Sequence, residues 1–399
     1  MKIRHQLAVY SPVPASAIIA SAVATLGRGD DRRPTAVQLL RELFAADSCA
    51  LCDSGTHALQ LAIETARKLV GAHARIAIPA FTCFDVATAA IAAGGEVSLY
   101  DIDPGSLGPD MGSLEAALLA GAKVVVVAAL YGLPLHWEAL ESLAREYGAI
   151  LIEDAAQGHG ASLNGRAVGS FGQITTLSFG RGKGWTSGGG GALLLRGASV
   201  AANIPDTPSV KREMIGVAGL ITQAVLGRPW LYGIPRGIPA LHLGETTYVE
   251  PTAPCGMSRA AAATLMATQA ASQAEASARA RNAMWLLDAL SGIAGVRTAR
   301  APVGGLPGYL RLPVMIEGGM ESLRDVHGAR RLGIEGSYPI PLTDLTPLAP
   351  VLVNRSAAFP GAGLLARDLI TLPTHSHVSS FEYARIVAAL REATSKCPS

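Results

Sequence analysis

The stretch "KVVVVAALYGLPLHWEALESLAREYGAILIED", residues 123–154, decides the fold. It opens on a β-branched run, 123–130, of the kind that fills a central strand buried on both faces. Residues 136–147 then read as a helix and 149–153 as a second strand. Strand, helix and strand in such close succession form the unit of a parallel sheet covered by helices. Working outward, residues 56–70 put Leu59, Ala62, Ile63, Ala66 and Leu69 on one helical face, with Gly71 as the stop. Residues 75–78 and 96–101 read as strands around a helix at 84–93 that Gly94 ends. Ser113 is expected to cap a short helix, and 174–179 and 190–196 supply further strands. The expectation is an α/β domain.

Past residue 205 the alternation stops. Residues 205–250 are rich in Pro, Gly and bulky apolar side chains. Residues 259–290 then run without Gly or Pro, which predicts a long helix capped by Ser258. A boundary is expected there, with a large domain over 1–255 and, over 256–399, the long linking helix and a smaller α+β domain.

With 399 residues, 49% hydrophobic and 16% charged, the chain can bury a sizeable core. A net charge of +2 without a dense basic run leaves no electrostatic footprint for nucleic acid. Five cysteines, an odd number in a long chain, point to a reducing compartment and a cytoplasmic location. Cys49 and Cys52 stand alone as a C-x-x-C pair, read as small buried thiols, and no metal site is expected. Near the N-terminus, Pro12 and Pro14 interrupt the apolar stretch a signal peptide would need, so Ser11 and Pro12 are read as a helix start. The apolar run nearest to a membrane span, 214–226, is too short, and no membrane partner is expected.

The chemistry centres on "LSFGRGKGWTSGGGGALL", residues 177–194. A phosphate-binding P-loop would need Ser or Thr after its lysine, and Gly184 follows Lys183. Strand-like runs on both sides exclude a flexible linker. What remains is a lysine amine that condenses with an aldehyde cofactor, of which pyridoxal phosphate is the obvious one. Such a cofactor needs N–H groups at a helix start for its phosphate, and "SGT", 54–56, precedes a helix. It needs a carboxylate for its pyridine nitrogen, and Asp154 falls directly after a strand, at the sheet edge where α/β enzymes bind ligands. Gln157 could reach the ring oxygen and Ser178 the phosphate.

"SGTHAL" (54–59), "EDAAQGHGASLNGRAVGSFG" (153–172) and the lysine loop, in this order, resemble the DegT/DnrJ/StrS-type sugar aminotransferases. Residues 78–110 and 369–390 are similar to further segments of that family. The resemblance implies the type I aminotransferase fold, with a mostly parallel seven-stranded sheet, and a homodimer. It implies that Lys183 forms the Schiff base and moves the proton, and that Asp154 pairs with the pyridine nitrogen. Gln157 would contact the ring oxygen, Gly55, Thr56 and Ser178 the phosphate. The family's stacking aromatic aligns with Cys83, leaving Phe84 as its substitute. The implied activity transfers an amino group from glutamate to a ketone, a keto-sugar nucleotide, in polysaccharide or secondary-metabolite biosynthesis. Members that dehydrate sugars carry histidine where Lys183 stands.

Departures from the family pattern bear on the substrate. An Asn-x-Arg contribution from the neighbouring subunit falls on Pro254 and Gly256, and two of the family's histidines are Thr343 and Ala129 here. Glycine stands for the glutamate of the turn after the lysine loop. The apolar stretch 214–235, in a region longer than typical of the family, reads as dimer core, with a lid, a pocket wall for an apolar substrate and a surface that touches a membrane as the alternatives. A non-sugar substrate and a non-catalytic cofactor-binding regulator are the alternatives.

Overall fold

The computed structural model describes residues 4–197, 210–236 and 246–395. Its centre is a seven-stranded sheet of β1 (Ser48–Cys52), β2 (Arg75–Pro79), β3 (Val97–Tyr100), β4 (Ala122–Ala128), β5 (Ile150–Asp154), β6 (Ile174–Ser178) and β7 (Gly191–Leu195). The strand order is β1-β7-β6-β5-β4-β2-β3. Neighbours from β3 to β6 pair in parallel, and β7 runs antiparallel to both β6 and β1. The mostly parallel seven-stranded sheet is therefore present. Val124 to Val127 on β4 have no exposed surface, as a β-branched run covered by helices on both faces requires.

The helices of this region are α1 (Ala15–Thr25), α2 (Arg33–Leu43), α3 (Gly55–Val70), α4 (Phe84–Ala93), α5 (Met111–Leu119) and α6 (Trp137–Glu146). Beyond β7 come α7 (Val210–Leu226), α8 (Pro229–Arg236) and the 32-residue α9 (Arg259–Leu290). Ser258 Oγ accepts from Ala261 N at 3.0 Å, so the expected cap on α9 is in place. Of the apolar segment, residues 205–209 and 237–245 lie outside the described residues. A second, antiparallel sheet follows, of β8 (Arg297–Thr298), β9 (Leu312–Met315), β10 (Glu335–Gly336) and β11 (Leu369–Leu372) in the order β8-β9-β11-β10. A helix at Ser380–Thr394 closes it, started by a capping box of Ser379 and Glu382. Among the described residues no helix is long and apolar enough to cross a membrane.

Local chemistry overturns two expected helix starts. Asp110, not Ser113, caps α5: its carboxylate accepts from Ser113 N at 2.8 Å, while Ser113 Oγ accepts from Asp101 N. The first helix begins at Ala15, after Pro14, because a proline keeps the residue before it out of the helical region. Ser11 lies outside that helix, and its hydroxyl donates to the Lys183 carbonyl at 2.6 Å.

Candidate active site

Parallel strands release the chain at one edge of the sheet, and here that edge gathers Cys83 after β2, Leu130 after β4, Asp154 at the end of β5 and Ser178 at the end of β6. Asp154 is the last paired residue of β5, opposite Ala128, and not part of a loop. The start of α3 meets this edge. Gly55 lies so close to Ser178 that a Cβ on it would stand 2.5 Å from Ser178 Cβ and 3.2 Å from its Cα. Only a residue without a side chain lets α3 begin there. Ser54 caps the helix by accepting from His57 N at 3.1 Å. The His57 ring is held between Asp53, at 2.5 Å, and the Thr252 hydroxyl, at 2.9 Å.

One inner cavity is lined by Gly55, Thr56, Cys83, Asp154, Gln157, Ser178 and Lys183, together with Asp85 and Leu59. Of the seven residues singled out from sequence, the fold thus gathers six. Phe84 is the one it does not: it packs into the buried core as the first residue of α4, and the neighbouring Cys83 faces the cavity instead. The Thr56 and Ser178 hydroxyls and Lys183 Nζ form no side-chain hydrogen bond with any described residue. They leave donors directed at the positive end of α3, where N–H groups favour an anion.

The electrostatics of the cavity are those of a buried polar site. Burial raises the Asp154 carboxyl, opposed by the Ala156 N–H it accepts at 3.0 Å and by the charge of Lys183. Burial also pushes the Cys83 thiol up to about 12, so it presents a neutral, apolar surface. Gln157 is engaged at both ends of its amide: Oε1 accepts from Tyr131 N and Nε2 donates to the Tyr338 hydroxyl, each at 2.8 Å.

Cys83, Gln157 and Lys183 also face a second, outer cavity of about 280 Å³. Its walls come from the N-terminal arm (Leu7 to Ser11), from α7 and α8 (Gln223, Leu226, Tyr232) and from the residues flanking β9 and β10 (Leu310, Arg311, Ser337, Tyr338). The apolar stretch 214–235 thus supplies part of a pocket wall, while Met214, Ile221, Val225 and Trp230 are exposed on its other side. Apart from the 214–235 stretch, sequence reasoning missed these wall residues, which carry no periodic signal. Tyr131 is the clearest case. It holds a left-handed φ of 56°, a conformation costing a non-glycine residue roughly 1–2 kcal/mol, and is fixed by the Gln157 amide and by a hydroxyl contact with Ser337.

A lysine and a carboxylate thus share one cavity at the carboxyl edge of a mostly parallel sheet, beside a glycine-opened helix start. Residues 36–211 match the model of the DegT/DnrJ/EryC1/StrS aminotransferase family. The L-glutamine:2-deoxy-scyllo-inosose aminotransferase of Streptoalloteichus tenebrarius is 38% identical over 153 residues, 38% of this chain and 36% of the relative. The UDP-N-acetyl-3-dehydro-alpha-D-glucosamine 3-aminotransferase of Acidithiobacillus ferrooxidans is 34% identical over 144 residues, 36% of this chain and 38% of the relative. The matched stretches span between 34% and 47% of the length of such curated relatives. Among solved structures, a DegT DnrJ EryC1 StrS aminotransferase from Brucella abortus superposes with a TM-score of 0.72 at 22% identity, over 95% of this chain and 96% of that one. The Streptococcus pneumoniae chain Spr1654, solved in a PLP form, gives 0.75 at 18% identity, over 98% and 99%. These two likenesses speak to the fold.

Proposed function

We propose that this chain is a pyridoxal-phosphate-dependent aminotransferase that moves an amino group from an amino-acid donor, glutamate in the sequence reading, to a ketone of the sugar or cyclitol kind, working as a cytoplasmic homodimer. The observation that carries the reading is the single cavity that joins Lys183, Asp154 and the Gly55–Ser178 contact. The residues fit the cofactor. A Cβ at Gly55 would fill the cradle, the Thr56 and Ser178 hydroxyls stand without partners beside a helix N-terminus, and a buried carboxylate faces the same space.

When bound, pyridoxal phosphate supplies an aldehyde for the lysine amine and a ring that accepts electrons. Thr56, Ser178 and the first amides of α3 would hold the phosphate. Asp154, at the end of a rigid strand, would hold a proton on the ring nitrogen. Cys83 would present a neutral thiol to the group from the cavity wall. Lys183 Nζ sits where both cavities meet, and it takes the proton from the donor carbon and delivers it to the acceptor carbon. In balance, the donor exchanges its amino group and α-hydrogen for a carbonyl oxygen, and the acceptor makes the reverse exchange.

Spectroscopy tests the reading. The purified chain with pyridoxal phosphate should show a visible absorbance band that L-glutamate bleaches, and Lys183→Ala should show neither the band nor the bleaching. A chain that takes up no cofactor overturns the proposal. The Pleiotropic regulatory protein of Geobacillus stearothermophilus, 36% identical over 128 residues, keeps a second reading in view, that of a cofactor-binding regulator. That reading predicts a band that no amino donor or ketone alters.

A further inference from the structure

The outer cavity carries an asymmetry of charge. Its lining includes Arg181, Lys183 and Arg311 and, among the described residues, no aspartate or glutamate. The remainder is largely aromatic and aliphatic: Leu7, Tyr10, Tyr232, Leu226 and Leu310. Arg181 is exposed at the rim, while Arg311 is half-buried within the wall. One hydrogen bond, from Arg311 Nη1 to the Thr371 hydroxyl at 3.1 Å, is the side chain's only one to a described residue. The backbone beside it is fixed, because Leu310 N donates to Tyr131 O at 3.0 Å and Gly308 N to Gly132 O at 2.9 Å. A guanidinium held this way, with most of its fork unused and an apolar pocket in front of it, is a binding site for one planar anion.

We infer that Arg311 is a carboxylate anchor and that the acceptor taken by this pocket is a compact ketone bearing a carboxylate on an apolar body, without an attached nucleotide. The inference rests on the aminotransferase reading above. In that reading donor and acceptor occupy the same space in turn, and the donor, an amino acid, always brings a carboxylate. A neutral acceptor would leave Arg311 covered and unpaired in the second half of the cycle, a penalty that a carboxylate removes. Size argues the same way. The cavity, at about 280 Å³, stands at the low end of small-molecule pockets, a size that suits a compact ligand. Among the described residues the pocket offers a diphosphate one half-buried cation, Arg311, besides the lysine itself.

The test is binding, measured calorimetrically on the cofactor-loaded protein, with cyclohexanecarboxylate and uridine diphosphate as probes. Cyclohexanecarboxylate should bind, Arg311→Gln should weaken it by about 10- to 100-fold, and Arg311→Lys should restore part of the loss. The visible cofactor band of both variants should be unchanged. Uridine diphosphate should neither bind nor compete. Uridine diphosphate displacing the carboxylate, or Arg311→Gln holding it within twofold of the parent, overturns the inference. Should the protein take up no pyridoxal phosphate, the same titration on the chain alone still decides whether Arg311 anchors a carboxylate, so the two failures stay separable.

Discussion

The contact between Gly55 and Ser178 can be tested as a pair. In Gly55→Ala the new Cβ would sit 2.5 Å from Ser178 Cβ, 2.6 Å from its Oγ and 3.2 Å from its Cα. Alanine is a good helix former, and at the start of α3 propensity alone would make the change neutral or mildly stabilising. The overlap dominates, because the Cβ and Cα of a central strand cannot rotate away. Overpacking of this sort costs about 1–3 kcal/mol. Removing the Ser178 side chain takes away both contacts below 3.0 Å and leaves only the one at 3.2 Å. Ser178→Gly should therefore rescue Gly55→Ala, and a double-mutant cycle from urea unfolding without cofactor should give a coupling of about 1–2 kcal/mol. Titration with pyridoxal phosphate reads the same geometry through function. The shifted helix start should lower affinity by about tenfold, and the double variant should recover little of this, since it lacks the Ser178 hydroxyl. Additivity within about 0.5 kcal/mol would refute the reasoning, because the two residues would then not be in steric conflict.

Three further outcomes follow from single side chains. Glu153 has no exposed surface and accepts from Gly169 N at 2.6 Å and Phe171 N at 2.8 Å, so Glu153→Gln, whose amide nitrogen must face one of these N–H groups, should cost about 1–3 kcal/mol in chemical unfolding. His159 and His375 are buried and held down to about 4, below the unfolded value of 6.5. The unfolded chain therefore binds protons first as pH falls. The contribution of these two groups to stability should be flat above pH 6.5 and drop between 6.5 and 4 by up to about 1.4 kcal/mol per pH unit for each group, and His375→Gln should remove one group's share of that slope. Asp110→Ala should cost about 1 kcal/mol in thermal unfolding through the lost cap on α5, a loss that would not appear if Ser113 were the cap.

How much of this was legible in the sequence depended on how local the signal is. The strands from β2 to β7 could be read because fully buried parallel strands demand continuous apolar runs. β1, "SCALC", escaped notice because it is an edge strand of small residues whose outer end is exposed. Asp154, Gln157, Ser178 and Lys183 were found because each sits within a few residues of a strand end, so placing the strand places the side chain. The exchange between Cys83 and Phe84 turned on a single residue: both flank the start of α4, and sheet packing takes the larger ring into the core.

The outer cavity obeys no such rule. Its walls join residues 7–11, 223–232, 310–311 and 336–338, segments that meet only through the tertiary fold and that share no single sequence period. This division coincides with the one drawn by the family match. Residues 36–211 contain β1 to β7 and every residue assigned here to the cofactor, whereas Arg311, Tyr338, Tyr232 and the N-terminal arm lie outside it. The stretch matched in these relatives is thus the one to which the proposal assigns pyridoxal phosphate. On that proposal the acceptor is chosen by residues outside the stretch, so a relative's substrate does not carry over with the match, and the Arg311 titration bears on specificity more directly than any increase in shared identity over residues 36–211 could.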